Sequence, residues 1–257
     1  MSDVDIAPHA PERRRIEGDG THERAWDASR LFERLAPIDV GDWQRDFRRI
    51  WVLAPHPDDE VLALGGSLAA LSALQTDIRI VCVTDGEASH RASAGAQPAR
   101  RAAARQAELR QALAALHVDA KVDRLGLPDG RIDAHRETLL KSLADVVDER
   151  DLLLTTCRFD GDSDHEACGE VAQLVGEIAG ATVYEYPVWM WHWAAPAEPI
   201  IPWNRARRLA VSPATLLRKR LAIDAFVSQV TTDGIDRPGV PAHLIPRFLR
   251  PYEVVFA

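Results

Sequence analysis

The stretch that decides the fold is Ile50-Trp51-Val52-Leu53-Ala54-Pro55-His56-Pro57-Asp58-Asp59-Glu60, followed by a helical run from Val61 to Leu74. Five apolar residues in a row suit a buried strand. Pro57 suits a first helical turn, where its missing N–H costs no bond. A second apolar run, Ile78 to Val83, ends at Thr84-Asp85-Gly86. The alternation then continues with a helix over 98–116, a strand over 120–125 closing in Leu127-Pro128-Asp129-Gly130, and a helix over 134–148. A strand over 152–156, a helix over 165–179 and a strand over 181–186 follow. Strands alternating with helices of ten or more residues are βαβ units, which predicts an α/β fold with a mostly parallel sheet and helices on both faces. Right-handed crossovers place the loops after the strands along one edge, where open α/β sheets hold their ligands. Every unusual polar cluster of the chain falls in those loops.

Outward from this centre the pattern loosens. Residues 1–20 are polar, with Pro8, Pro11, Gly18 and Gly20 and no period, and read as a flexible arm. Residues 21–36 place Trp26, Leu31, Phe32 and Leu35 at helical spacing; 21–257 reads as a single domain. Beyond Tyr186, the segment Pro187–Trp203 holds four of the seven tryptophans and forms a Trp-rich C-terminal region with a strand over 205–211, a helix over 213–229 and a strand over 253–256. No apolar run reaches about 18 residues, which argues against a membrane span. An excess of 39 acidic over 31 basic residues gives no support to nucleic-acid binding. The start MSDVDIAPHAPERRR has no apolar signal region, so a cytoplasmic protein is expected.

His56 and Asp59, three apart at a helix start, converge across one turn. His165, in Asp160-Gly161-Asp162-Ser163-Asp164-His165 after another strand at the same edge, is the expected third ligand of a metal. Two imidazoles and one carboxylate leave positions open for water and substrate, as in catalytic zinc sites, and Fe(II) takes the same set. Asp58, beside a ligand and free of the metal, suits a general base. Carboxylates after a strand also serve simply as helix caps, and Asp164 is a natural N-cap for the helix it precedes.

Taken together, Ala54-Pro55-His56-Pro57-Asp58-Asp59-Glu60, Thr84-Asp85-Gly86-Glu87, Arg105-x-x-Glu108-Leu109, Leu125-Gly126-Leu127-Pro128-Asp129-Gly130 and Asp164-His165-Glu166-Ala167 resemble the PIG-L/LmbE family of zinc-dependent N-acetylglucosamine deacetylases, which are Rossmann-like proteins. The likeness runs from about residue 50 to 187; beyond that it rests on Ser228-Gln229 and Arg250-Pro251-Tyr252-Glu253. The resemblance implies zinc held by His56, Asp59 and His165, Asp58 as general base, Asp164 orienting His165 or a neighbour, and Glu87, Arg105 and Asp129 holding sugar hydroxyls. Each of these last three has a plain alternative, as a helix-surface pair, a turn or a loop charge. The implied substrate is a small-molecule amide, most simply an N-acetylated amino sugar.

One departure stands out. Family members commonly read His-Pro-Asp-His where this chain reads Asp162-Ser163-Asp164-His165. An ionised Asp162 accepts hydrogen bonds only, so it would repel a developing oxyanion. His192 is the candidate replacement donor, with His90 and Arg158 behind it. In the Trp-rich segment, Trp191 is the expected stacking partner of a sugar or acyl group. The same aromatics would also suit a strand face or the interface of a homo-oligomer.

Overall fold

The computed structural model describes residue 14 and residues 16–88, 97–231 and 239–257. Most of the expected arm, 1–13 and 15, lies outside the described residues, as does His90. Eight strands form one sheet: β1 (Ala36–Ile38), β2 (Arg49–Ala54), β3 (Ile78–Cys82), β4 (Lys121–Arg124), β5 (Asp151–Thr156), β6 (Thr182–Tyr186), β7 (Ala206–Ala210) and β8 (Tyr252–Phe256). Their order is β1-β7-β8-β6-β5-β2-β3-β4. The pairs are parallel except those of β8, which runs against β6 and β7.

The helices are α1 (Glu23–Ser29), α2 (Val40–Asp46), α3 (Asp59–Ala73), α4 (Pro98–Leu116), α5 (Arg136–Ala144), α6 (Ser163–Ala179), α7 (Met190–Trp193), α8 (Pro213–Asp224), α9 (Val227–Val230) and α10 (Ile245–Phe248). Ile50 and Val52 of β2, with Leu152 and Leu154 of β5, enter a core shared with α3 and α4. Trp51, Leu53 and Leu153 enter a second core on the other face, with Leu139 of α5 and Val171 of α6. This two-sided burial is why the central strands read as continuous apolar runs rather than alternating ones.

The strand order positions the site. From β2 the chain steps to β3 and β4 on one side, whereas β5 and β6 lie on the other. The direction of winding therefore reverses between β2 and β5, and the crevice at their carboxyl ends is the ligand position of such sheets. His56 follows β2 and His165 follows β5, so both open onto that crevice.

Three elements differ from the sequence expectation. The helix expected over 21–36 ends at Ser29, where Arg30 turns left-handed (φ 51°), and the chain goes on to the short edge strand β1. The helix expected over 213–229 stops at Asp224 and restarts as α9. The Trp-rich segment contains the short helix α7, with its aromatic rings divided between core and cavity.

A buried ion pair locks the antiparallel strand to the rest. Glu253 of β8 accepts from Gly66 N (2.7 Å), Ser67 N (2.8 Å) and Ser67 Oγ (2.6 Å) in α3, and from Lys219 Nζ of α8 (2.5 Å). Gly66 is needed there, since a Cβ would lie 2.6 Å from Val211 Cγ2. Removing one partner of such a pair leaves a buried charge uncompensated. Glu253→Ala is expected to destabilise the protein by about 3–5 kcal/mol, and Lys219→Met with Glu253→Leu by clearly less. Urea unfolding midpoints of the two variants check this.

Candidate functional site

Three ligand atoms meet where β2 and β5 end. His56 Nδ1 lies 3.3 Å from His165 Nε2 and 3.4 Å from Asp59 Oδ2, and the latter two atoms are 3.3 Å apart. Zinc–ligand bonds of about 2.0–2.2 Å in a tetrahedron require ligand atoms roughly 3.3–3.5 Å apart, so this triangle has the size of one tetrahedral face. Sequence positions more than a hundred residues apart are thus brought to a geometry that fits a metal ion.

The far side of each ring is also fixed. His165 Nδ1 sits 2.8 Å from Asp160 Oδ2, and His56 Nε2 sits 3.1 Å from Asp129 Oδ1 and 3.5 Å from Asp164 Oδ2. A carboxylate on the outer nitrogen sets the tautomer and leaves the inner nitrogen for a metal. Burial disfavours a charged His56, yet Asp129, Asp164 and Asp59 hold its ring well above the usual pKa. His165 is raised in the same way, against burial, chiefly by Asp59. Asp59 is held well below the ordinary carboxylate range, because the two rings outweigh its burial. Such a field favours positive charge between these groups.

Asp58 lies beside the triangle in a cavity of about 310 Å³. Burial pushes its carboxyl up to about 6, with Arg105 working against the rise. Arg105 Nη2 lies 2.7 Å from Asp58 Oδ1 and donates to Pro57 O at 3.1 Å. The guanidinium reaches this place beneath Gly86, where a Cβ would lie 2.3 Å from Nη1 and φ is +65°. Asp129, also on the cavity wall, accepts from Ala88 N through Oδ2. Glu87 is outside the wall; its Oε1 accepts from Asp129 N at 3.0 Å, so it supports Asp129.

Residues 51–175 match the family model described as PIG-L, GlcNAc-PI de-N-acetylase. This segment belongs to the PIG-L family. No curated protein matches the sequence. Among solved structures, the fold is similar to an N,N'-diacetylchitobiose deacetylase from Pyrococcus horikoshii (19% identity, 85% of this chain and 83% of that one, TM-score 0.57). It is similar as well to the A40926 pseudoaglycone deacetylase Dbv21 (20% identity, 82% and 97% covered, TM-score 0.57). A third likeness is to GalB, the 4-carboxy-2-hydroxymuconate hydratase of Pseudomonas putida KT2440 (18% identity, 79% and 83% covered, TM-score 0.53). At these identities the likenesses show a shared fold, and one of the three proteins is a hydratase.

Five expectations are corrected by placement. Asp162, not Asp164, is the N-cap of α6: its Oδ1 accepts from Asp164 N (2.8 Å) and His165 N (3.2 Å). Asp164 accepts from Gly130 N and Ile132 N and approaches His56; the carboxylate that holds His165 is Asp160. His192 is absent from the cavity wall: its Nε2 lies 3.2 Å from Glu17 O and its Nδ1 3.5 Å from His243 Nε2. Arg158 pairs with Glu185, so it supplies no donor to the cavity either. Trp191 is core, edge-on to Trp26 at 5.1 Å and 4.8 Å from the Arg250 guanidinium. Trp189, two residues earlier, is the tryptophan on the cavity wall.

Two further residues join the site without a role assigned from sequence. Asp160 stands in an acidic run, and its one signal is the five-residue spacing to His165 across a helix start. Gln229, quoted above in the Ser228-Gln229 pair, enters the cavity wall from α9. Asp160→Asn is expected to weaken binding of added zinc about 10–100-fold, and His165→Ala to abolish that binding with the fold retained. Competition with a chelating dye, alongside circular dichroism, measures both.

Proposed function

We propose that this chain is a metal-dependent amide hydrolase that removes an acetyl or other short acyl group from a small amino-sugar-containing molecule. The carrying observation is the triangle of His56, Asp59 and His165 with the Asp58 carboxylate beside it, inside a cavity large enough for a sugar-sized amide. The family's description as a de-N-acetylase and the deacetylase activities of two fold relatives support this choice over hydration.

The donor set fits zinc, with Fe(II) the alternative. When bound, the ion supplies Lewis acidity to the amide carbonyl and acidifies a water toward a pKa of about 7. The protein's own residues carry the rest. Asp58 accepts the proton of the attacking water and returns it to the departing nitrogen, so that amide and water become carboxylic acid and amine. Arg105 fixes the orientation of Asp58 through the 2.7 Å pair. Asp129 and Arg105, both on the cavity wall, are the candidates for contact with sugar hydroxyls, and Glu87 holds Asp129 in place. Trp189 and the apolar wall exclude water around the amide.

Asp58→Asn is expected to keep its metal and lose about 10²–10⁴-fold in kcat. Chelation of the wild type is expected to abolish turnover, with zinc restoring it. Metal analysis together with acetate release from simple N-acetylglucosaminides tests both. An Asp58→Asn protein with undiminished turnover would overturn the base assignment.

A further inference from the structure

The cavity holds more negative charge than the hydrolytic role requires. Four carboxylates line it, Asp58, Asp59, Asp129 and Asp162, against one guanidinium, Arg105, already paired with Asp58. A dipositive ion on the His56–Asp59–His165 triangle leaves negative charge in excess. Asp58 and Asp59 are taken up by the hydrolytic role, and both Asp129 oxygens have partners, His56 Nε2 and Ala88 N; Asp162 has an oxygen to offer outside that machinery. Its Oδ1 caps α6, while Oδ2 has no hydrogen-bond partner among the described residues.

Gln229 adds an independent acceptor. Its side chain is 3% exposed and on the cavity wall. Ser228 Oγ donates to Glu108 Oε2 at 2.7 Å, so toward Gln229 it acts as acceptor, and Gln229 Nε2 donates to it at 3.0 Å. That chain of bonds fixes the amide's orientation and leaves its carbonyl oxygen unpartnered among the described residues. Trp189 contributes an aromatic ring to the same wall, and Leu62, Val188 and Leu244 make the remainder apolar. Acceptors, an aromatic ring and low-dielectric walls around unbalanced negative charge recognise a cation with several donors, which describes a primary ammonium.

We propose that Asp162, with Gln229 and Trp189, forms a subsite for an ammonium group, and that the substrate is an N-acylated compound carrying a second, free amine. This rests on the hydrolase reading and adds the substrate class to it. A phosphate or carboxylate on the substrate would meet the same carboxylates and be disfavoured.

The test uses the zinc-loaded protein and N-acetylglucosamine beside analogues in which the hydroxyl at position 3, 4 or 6 is replaced by an amine. Calorimetry gives each Kd, and acetate release is read from the same compounds. At least one amine analogue is expected to bind about tenfold more tightly than N-acetylglucosamine, with the advantage shrinking as salt is raised. Asp162→Asn, which caps a helix as well as Asp does, is expected to erase the difference. Equal affinity across the set, or an advantage that persists in Asp162→Asn, overturns the proposal. Acetate released equally from all compounds with no charge preference removes the ammonium subsite and leaves the hydrolase. Charge-dependent binding without acetate release does the reverse.

Discussion

The carboxylate of Asp160 is the contact on which the site depends. It is fully buried, and a buried charge persists only where donors surround it. Four are present: Val188 N, Trp189 N and Met190 N at 2.8–2.9 Å and His165 Nδ1 at 2.8 Å. Trp193 Nε1 donates to the backbone oxygen of the same residue. One side chain therefore sets the ring plane of His165, the proposed metal ligand, and the start of the helix that brings Trp189 to the cavity. The His165 ring and the Trp189 side of the cavity wall are tied to the same carboxylate.

The density of acid in the crevice has a second physical support. Asp59 and Glu60 occupy the first turn of α3, and Asp162 and Asp164 the start of α6. Both helices begin at the crevice, so their positive ends meet carboxylates there. Asp164 is further held by two backbone amides, those of Gly130 and Ile132, which tie the loop after β4 to the α6 terminus. The sheet supplies the convergence, and the helix termini make the convergence of like charges tolerable.

Much of this was legible in the chain because it is local or periodic. The central strands were readable since two-sided burial leaves uninterrupted apolar runs, and the loops at their ends followed from handedness. His56, Asp59 and His165 could be named because the fold sends both loops to one crevice. Side-chain direction was harder. His192 and Trp191 lie in a segment rich in aromatics, and sequence says nothing about which rings a four-residue helix turns inward. Trp189 proved to be the one at the cavity, because amides bound to Asp160 fix how that helix starts. Asp162 and Asp164 exchanged the expected capping role, a two-residue distinction set by where α6 begins. Gln229 joins the site through a contact between α9 and Glu108 of α4, 120 residues apart, which no spacing encodes.

The sheet order also carries a consequence for how the molecule assembles. β8 follows β7 in the chain yet lies between β7 and β6, so the β1–β7 pair joins the remaining strands only through it. The parallel body from β2 to β6 has one pairing between strands not consecutive in the chain, that of β2 with β5. Closing the outer three strands requires a further long-range insertion, by β8 between β6 and β7, the kind of step that slows folding because loop entropy is lost before contacts form. Until β8 enters, the facing edges of β6 and β7 are both unpaired, and that interval is when the chain is most open to pairing with a neighbour.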